Sequence, residues 1–365
     1  MKPKRIYALG CFLVLTCSLV YAVPVRAQKL NDKVDSLITT VLKDKEGPGG
    51  VFMIAQRGKM IYQKAFGKAN LELGVNLTPE NVFQLGSMTK QFTAVAVLML
   101  EQEGKLSVSD PISKYITDYQ AGDKITIHQL LTHTSGIRDF TQIKSLGSIA
   151  QKEMTPKMMV DFFKNEPVDF APGERFEYNN SGYVLLGYLI ELVSGERYED
   201  FIKKHIFDQV GMSHSYYASD RWVINQRAYG YQKKENTYVN KTAISFSVPF
   251  SSGSLMSTVA DLLKWQNALN QNKLLNANET KKMFSQYKLN NGKMLSYGYG
   301  WHLKDIDGIA TREHGGSIFG FKTMGVYIPS EDIYVVGLTN CDCNSPTELT
   351  RNIAKLAIGK PAKTN

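Results

Sequence analysis

The sequence predicts a two-lobed α/β (α+β) fold: an antiparallel β-sheet drawn from both chain ends and flanked by helices, with a mainly helical lobe inserted between them. Three observations lead there. Strand-like segments cluster toward both ends of the 365-residue chain. From about 110 to 215 the apolar spacing is helical, interrupted by Gly- and Pro-bearing loops. Hydrophobic content of 43% and charged content of 21% support a real core and exclude disordered, collagen-like and disulfide-scaffold chains.

Met1 to Ala27 reads as a secretory signal. Lys2, Lys4 and Arg5 open it, Ile6 to Val23 is almost continuously apolar, and Val25-Arg26-Ala27 puts small residues at the two positions a peptidase reads. Cleavage is expected after Ala27, which places the mature protein outside the cytoplasm, secreted or periplasmic, with no stable membrane span. The alternative is an uncleaved anchor, since about 18 apolar residues can span a bilayer. Leu30, Val34, Leu37, Ile38, Val41 and Leu42 then give one amphipathic helix. Val51 to Ala55, the turn Gln56 to Lys59, and Met60 to Ala65 predict a hairpin. A helix spans 87–103 and stops at Gly104. Further helices are expected at 126–132, 156–165, 181–194, 197–208 and 259–271. Strands are expected near 228–231, 237–239, 299–303, 310–314, 321–327 and 333–338, and a last helix at 347–357. The division is a signal at 1–27, one domain over 28–345, and a C-terminal helix and tail at 346–365. Within it an α/β lobe takes about 28–105 and 250–360, and a helical lobe about 106–249.

The net charge of +9 invites a nucleic-acid or membrane-surface reading. Four of those positive charges, Lys2, Lys4, Arg5 and Arg26, leave with the signal, and the rest alternate with acids, as in Lys43-Asp44-Lys45-Glu46. No basic block tracks phosphates, so nucleic acid is excluded as a partner. Cys11 and Cys17 leave as well. Cys341 and Cys343 stand one residue apart, poor geometry for a bridge between them, and are read as a loop closing the last strand. No second cysteine pair completes a zinc site, and neither a metal nor a cofactor is expected.

Three motifs carry chemistry. In Ser87-Met88-Thr89-Lys90 a helix sets the amine on the face of the hydroxyl, and burial by the run from Ala94 would lower the lysine pKa until it could take a proton. Ser285-Gln286-Tyr287-Lys288 repeats the spacing, but among polar neighbours. Tyr178-Asn179-Asn180 precedes an apolar helix; a phenol there can shuttle a proton and an amide can hold a carbonyl. Tyr238-Val239-Asn240 matches too, yet reads as an exposed hairpin. His314-Gly315-Gly316-Ser317 lies between strands, where glycines allow close approach and a strand edge offers N–H groups to an oxyanion. No Gly-x-Ser-x-Gly elbow, His-Glu-x-x-His, Walker loop or dinucleotide fingerprint competes. His128 and His133 lack an acidic ligand at metal spacing.

In this order along one chain, the three motifs resemble the serine β-lactamase-like family, in the branch of class C β-lactamases, D-alanyl-D-alanine carboxypeptidases, D-aminopeptidases and related esterases. Leu130 to Ile137, Phe176-Glu177-Tyr178, Ser252 to Thr258 and Tyr297 to Trp301 look like the same family, over about 30–340. The resemblance implies Ser87 as nucleophile, Lys90 as its activator and Tyr178 as proton shuttle. It implies Asn180 for the substrate's acyl amide, and His314, Gly316 and Ser317 at the substrate, with the Ser87 and Ser317 N–H groups as oxyanion hole. The site would lie at the seam of the lobes. Two departures matter. His-Gly-Gly stands where class C enzymes have Lys-Thr-Gly, so a permanent cation and a threonine hydroxyl are missing. The class A motif Glu-x-x-Leu-Asn is absent, leaving Tyr178 or Lys90 to activate water.

The expectation is therefore an exported serine hydrolase forming an acyl-serine on amides or esters of peptide-like substrates, with D-amino-acid cell-wall peptides as one class. Alternatives are a carboxylic esterase, a weak class C-type β-lactamase, or a non-catalytic acyl-serine sensor or penicillin-binding scaffold. The partner is a small-molecule or peptide-like substrate, such as a peptidoglycan peptide, β-lactam or ester. Acyl specificity and oligomeric state are not legible in the sequence.

Overall fold

The computed structural model describes residues 28–359, so the expected signal and its cleavage point lie outside the described residues. Six antiparallel strands form the main sheet, in the order His302–Ile306, Ile309–Ile318, Phe321–Ile328, Ile333–Thr339, Gly50–Gln56 and Lys59–Phe66. Strands far apart in the chain thus pair within the sheet, Gly50 opposite Thr339 and Gln56 opposite Ile333.

Both faces are buried over the inner strands Phe321–Ile328, Ile333–Thr339 and Gly50–Gln56, and strand periodicity sorts the residues between them. Phe52, Ile54, Ile333 and Val335 join Val34, Ile38, Leu349 and Ile353 in one core, under the helices at 28–41 and Thr347–Ala357. Val51, Met53, Ala55, Val336 and Leu338 point the other way, into the large core shared with the helical lobe. Each such buried aliphatic side chain contributes roughly 1.5–3 kcal/mol.

Helix Thr89–Gln102 runs through that large core. Ala94 to Leu98 are fully buried, as expected for a helix apolar on all sides. Phe92 stacks on Trp265 of helix Val259–Asn270, with ring centroids 4.1 Å apart. On its other side helix Asn180–Ser194 packs against it. A three-stranded sheet of Phe83–Gln84, Leu255–Ser257 and Tyr216–Tyr217 links the segments leading into these helices. The helix expected over 197–208 forms with a local change of pitch: Tyr198–Ile202 passes through a π turn, Lys203–Phe207, into Asp208–Val210. Among the described residues no helix is long and apolar enough to cross a membrane.

Cys341 and Cys343 correct the sequence reading, for they form a disulfide. In an extended strand their side chains would stand too far apart. Here the chain bends after Thr339, bringing the Cα atoms to 5.1 Å, within the span a bridge accepts. The backbone N–H of Cys343 points at Cys341 Sγ, 3.2 Å away.

Candidate active site

Two glycines allow the Ser87 turn to lie against the sheet. Gly86 has φ +54°, where L side chains are strained, and a Cβ there would come within 2.9 Å of the Ser317 nitrogen. A Cβ on Gly316 would overlap the Leu85 carbonyl oxygen, which instead accepts from Thr323 Oγ1 at 2.8 Å. Gly316 therefore serves close approach. Strand Ile309–Ile318 pairs with Phe321–Ile328 through Ile318 but with His302–Ile306 only through Glu313, so its edge is open from His314 on.

Ser87 sits in the 3₁₀ turn Gly86–Met88; the cap position of the following helix belongs to Met88, so the hydroxyl is not consumed as a cap. Lys90 is fully buried one turn on. Its Nζ lies 3.2 Å from Ser87 Oγ, 2.9 Å from Asn180 Oδ1 and 2.9 Å from the Ser252 carbonyl oxygen. Carbonyl oxygens only accept. A neutral amine gives both its N–H bonds to these two, and its lone pair is left for the Ser87 hydroxyl. Burial lowers the Lys90 pKa to about 7, with the negative charge of Asp139 pulling weakly upward.

Asp139 went unnoticed in the sequence. It is 4% exposed; its Oδ2 accepts from Asn180 N at 2.7 Å and from Asn180 Nδ2 at 3.0 Å, so Asn180 must turn its oxygen to Lys90. Thr141 N and Oγ1 hold the other carboxylate oxygen at 2.8 and 2.6 Å. Asp139→Ala is expected to lower kcat/KM by about 10–100-fold and stability by about 1–3 kcal/mol, because it frees Asn180 and orphans buried donors. Steady-state kinetics and urea unfolding would check both.

Tyr178 is pinned by its neighbour Asn179, which caps helix Asn180–Ser194 by accepting from Gly182 N at 2.8 Å. Asn179 also donates from Nδ2 to the Ile137 carbonyl at 2.6 Å and from its backbone N–H to His133 Nδ1 at 3.1 Å. The His133 ring packs on Tyr178, centroids 4.4 Å apart, and burial, then Lys90, keeps its pKa well below the usual range. Lys90 Nζ lies 4.8 Å from the Tyr178 ring centroid. The Tyr178 hydroxyl is buried and faces Ser87 without closing a hydrogen bond of ordinary geometry. Burial raises its pKa, Ser87 pulls the other way, and at neutral pH it is a phenol.

Ser87, Tyr178, Asn180 and Ser317 share one cleft of about 580 Å³, with apolar walls from Phe140, Leu146, Ile244 and Phe319. His314 does not reach it, which corrects its expected place at the substrate. The imidazole is 2% exposed and turned inward, Nδ1 donating to the Gly315 carbonyl at 2.6 Å and Nε2 lying 3.1 Å from Tyr297 Oη. Burial, then His302 and Lys90, pushes its pKa well down, so it brings no charge. Ser285 and Tyr238, the second matches to the motifs, lie outside the cleft wall. Among the described residues no group of His, Cys, Asp or Glu is arranged to hold a metal.

A fold of this kind, with a serine–lysine pair at the lobe seam, defines a class. The chain belongs to the β-lactamase family, whose model matches residues 34–360. It is 30% identical over 315 residues to a putative penicillin-binding protein, PbpX, of Bacillus subtilis, covering 86% of this chain and 75% of that protein. The octameric penicillin-binding protein homologue of Pyrococcus abyssi superposes with a TM-score of 0.80 at 31% identity, over 90% of this chain and 78% of that one. A D-amino acid amidase of Ochrobactrum anthropi shares the fold, with a TM-score of 0.78 at 22% identity over 90% of this chain and 99% of its own.

Proposed function

We propose that the protein is an exported serine hydrolase that cleaves amide or ester bonds of peptide-like substrates through an acyl-Ser87 intermediate, with D-amino-acid cell-wall peptides as the favoured class. The observation that carries this is the environment of Lys90: a buried amine 3.2 Å from Ser87 Oγ, with the Asn180 Oδ1 and Ser252 carbonyl oxygens each at 2.9 Å. Penicillin-binding relatives support the substrate class.

In this reading Lys90 takes the Ser87 proton as Oγ attacks the carbonyl carbon. The oxygen becomes an oxyanion facing the Ser87 and Ser317 N–H groups. Collapse expels the leaving group, which takes the Tyr178 hydroxyl proton as Tyr178 takes the one that Lys90 received from Ser87. Water then attacks the acyl carbon, giving a proton to neutral Lys90 directly or through the Tyr178 hydroxyl, and Lys90 returns that proton to Ser87 Oγ as the acid leaves. Asn180 keeps Lys90 in register and presents its amide to the acyl chain. Without a charged group at position 314, a substrate carboxylate gains little there, which favours peptidase or esterase activity over efficient β-lactam turnover.

Intact-mass and peptide mapping after treatment with a fluorophosphonate or a fluorescent penicillin test the reading. A single adduct on the peptide bearing Ser87, lost in Ser87→Ala, is expected, together with release of D-alanine from D-alanyl-D-alanine peptides. Hydrolysis by Ser87→Ala at the wild-type rate would overturn it. Labelling with no product would point to an acyl-serine sensor.

A further inference from the structure

Beyond the catalytic groups, the cleft wall holds one cation and one anion, Lys322 and Asp342. Neither has an ionic partner among the described residues, and they do not pair with each other. Lys322 is the register partner of Ser317 on one side and of Thr339 on the other, and Asp342 follows Thr339 by three residues. Paired residues share a sheet face, which sets Lys322 beside Ser317, and Asp342 lines the same cleft from the turn beyond Thr339.

Asp342 is held in place. It lies inside the ring closed by Cys341 and Cys343, and its N–H donates to the Tyr231 carbonyl at 3.2 Å. Its Oδ2 accepts from Gln232 Nε2 at 2.8 Å, while Gln232 Oε1 accepts from Thr242 N and Oγ1 at 2.9 and 2.8 Å. Those contacts keep the carboxylate from collapsing onto Lys322 and leave Oδ1 with no hydrogen bond among the described residues. Two opposite charges kept apart in one recess suit a ligand that carries both.

We infer that Lys322 and Asp342 form a recognition subsite for a zwitterionic α-amino-acid head group, carboxylate on Lys322 and ammonium on Asp342, at the far end of a substrate whose scissile carbonyl lies at Ser87. The inference rests on the acyl-serine reading for its chemistry, but not for its binding.

The probes are ω-(4-nitroanilides) of 2-aminoadipic and 2-aminosuberic acid, each with a free head, with an N-acetylated head, and with the α-carboxyl amidated. Wild-type kcat/KM is expected to favour the free head by about 10–100-fold, because either block leaves one charge in the recess unpaired. Asp342→Asn should lose discrimination against the N-acetyl compound but keep it against the amide; Lys322→Gln should show the reverse. Equal wild-type rates on all three, or variants that lower all three in proportion, would overturn the subsite. If no anilide is cleaved, calorimetry with Ser87→Ala and the same compounds decides. A preference for the free head sustains the subsite and sinks only the catalytic reading, whereas equal affinities sink the subsite.

Discussion

Lys90→Met should lower kcat/KM by about 10³-fold or more while leaving the protein folded. Methionine refills the buried channel with a chain of similar length but offers Ser87 no base, and a serine without a base is a feeble nucleophile. Burial stabilises the neutral lysine, so wild-type activity should rise with pH through about 7 and then level, as the amine loses its proton. The same shift makes a stability prediction of definite sign. Below pH 7 the amine is charged in folded and unfolded chains alike. Between about 7 and the unfolded value of 10.5, the unfolded chain binds a proton that the folded one lacks, so stability should climb with pH through that window. The climb is about 5 kcal/mol over the whole window. Lys90→Met should lack this increment, and should carry a pH-independent cost of about 1–3 kcal/mol for leaving Asn180 Oδ1 and the Ser252 carbonyl without a donor. Urea unfolding of both proteins at pH 7, 8 and 9 separates the two effects, since the other titrating groups are common to both. Parallel stability profiles would show that Lys90 is charged in the folded protein.

Tyr178→Phe should lower turnover by about 10²–10⁴-fold with stability unchanged or raised by up to about 1 kcal/mol. The unusual combination follows from the free protein, where the Tyr178 hydroxyl is buried and closes no hydrogen bond of ordinary geometry, so little is lost with it. Its ring contacts with His133 and Lys90 survive in phenylalanine. Kinetics alongside a thermal melt checks it. A loss of activity accompanied by several kcal/mol of destabilisation would mean that the hydroxyl is structural.

Much of this architecture was legible before any coordinates. Ser87, Lys90, Tyr178, Asn180 and Ser317 converge because each motif couples a chemical group to a local structure that aims it: a helix turn, a helix entrance, a strand end. The strand expected at 299–303 starts at His302, since Gly298 and Gly300 hold a bend there, the latter against the Lys90 carbonyl. Asp139 was not legible. A lone acid between Arg138 and Phe140 has no spacing to mark it, and its value lies in meeting Asn180 from 41 residues away. His314 misled for the opposite reason: its type and position suited a ligand, but which way a strand residue turns depends on Tyr297 and the second strand beside it. The disulfide was missed because strand geometry was assumed where the chain bends.

The interior position of Gly50–Gln56 in the sheet carries a consequence for biosynthesis. One neighbour, Lys59–Phe66, is available at once through a hairpin, but the other, Ile333–Thr339, is made only after the whole intervening chain. Until then the hairpin exposes a row of apolar residues and one unpaired edge, a template for aggregation. Closing the sheet brings together the most distant parts of the chain, a slow step by contact order. A shortened chain ending before Ile333 would keep Ser87, Lys90, Tyr178 and Asn180 yet never seal that edge, so it should depend on chaperones rather than fold as a smaller enzyme.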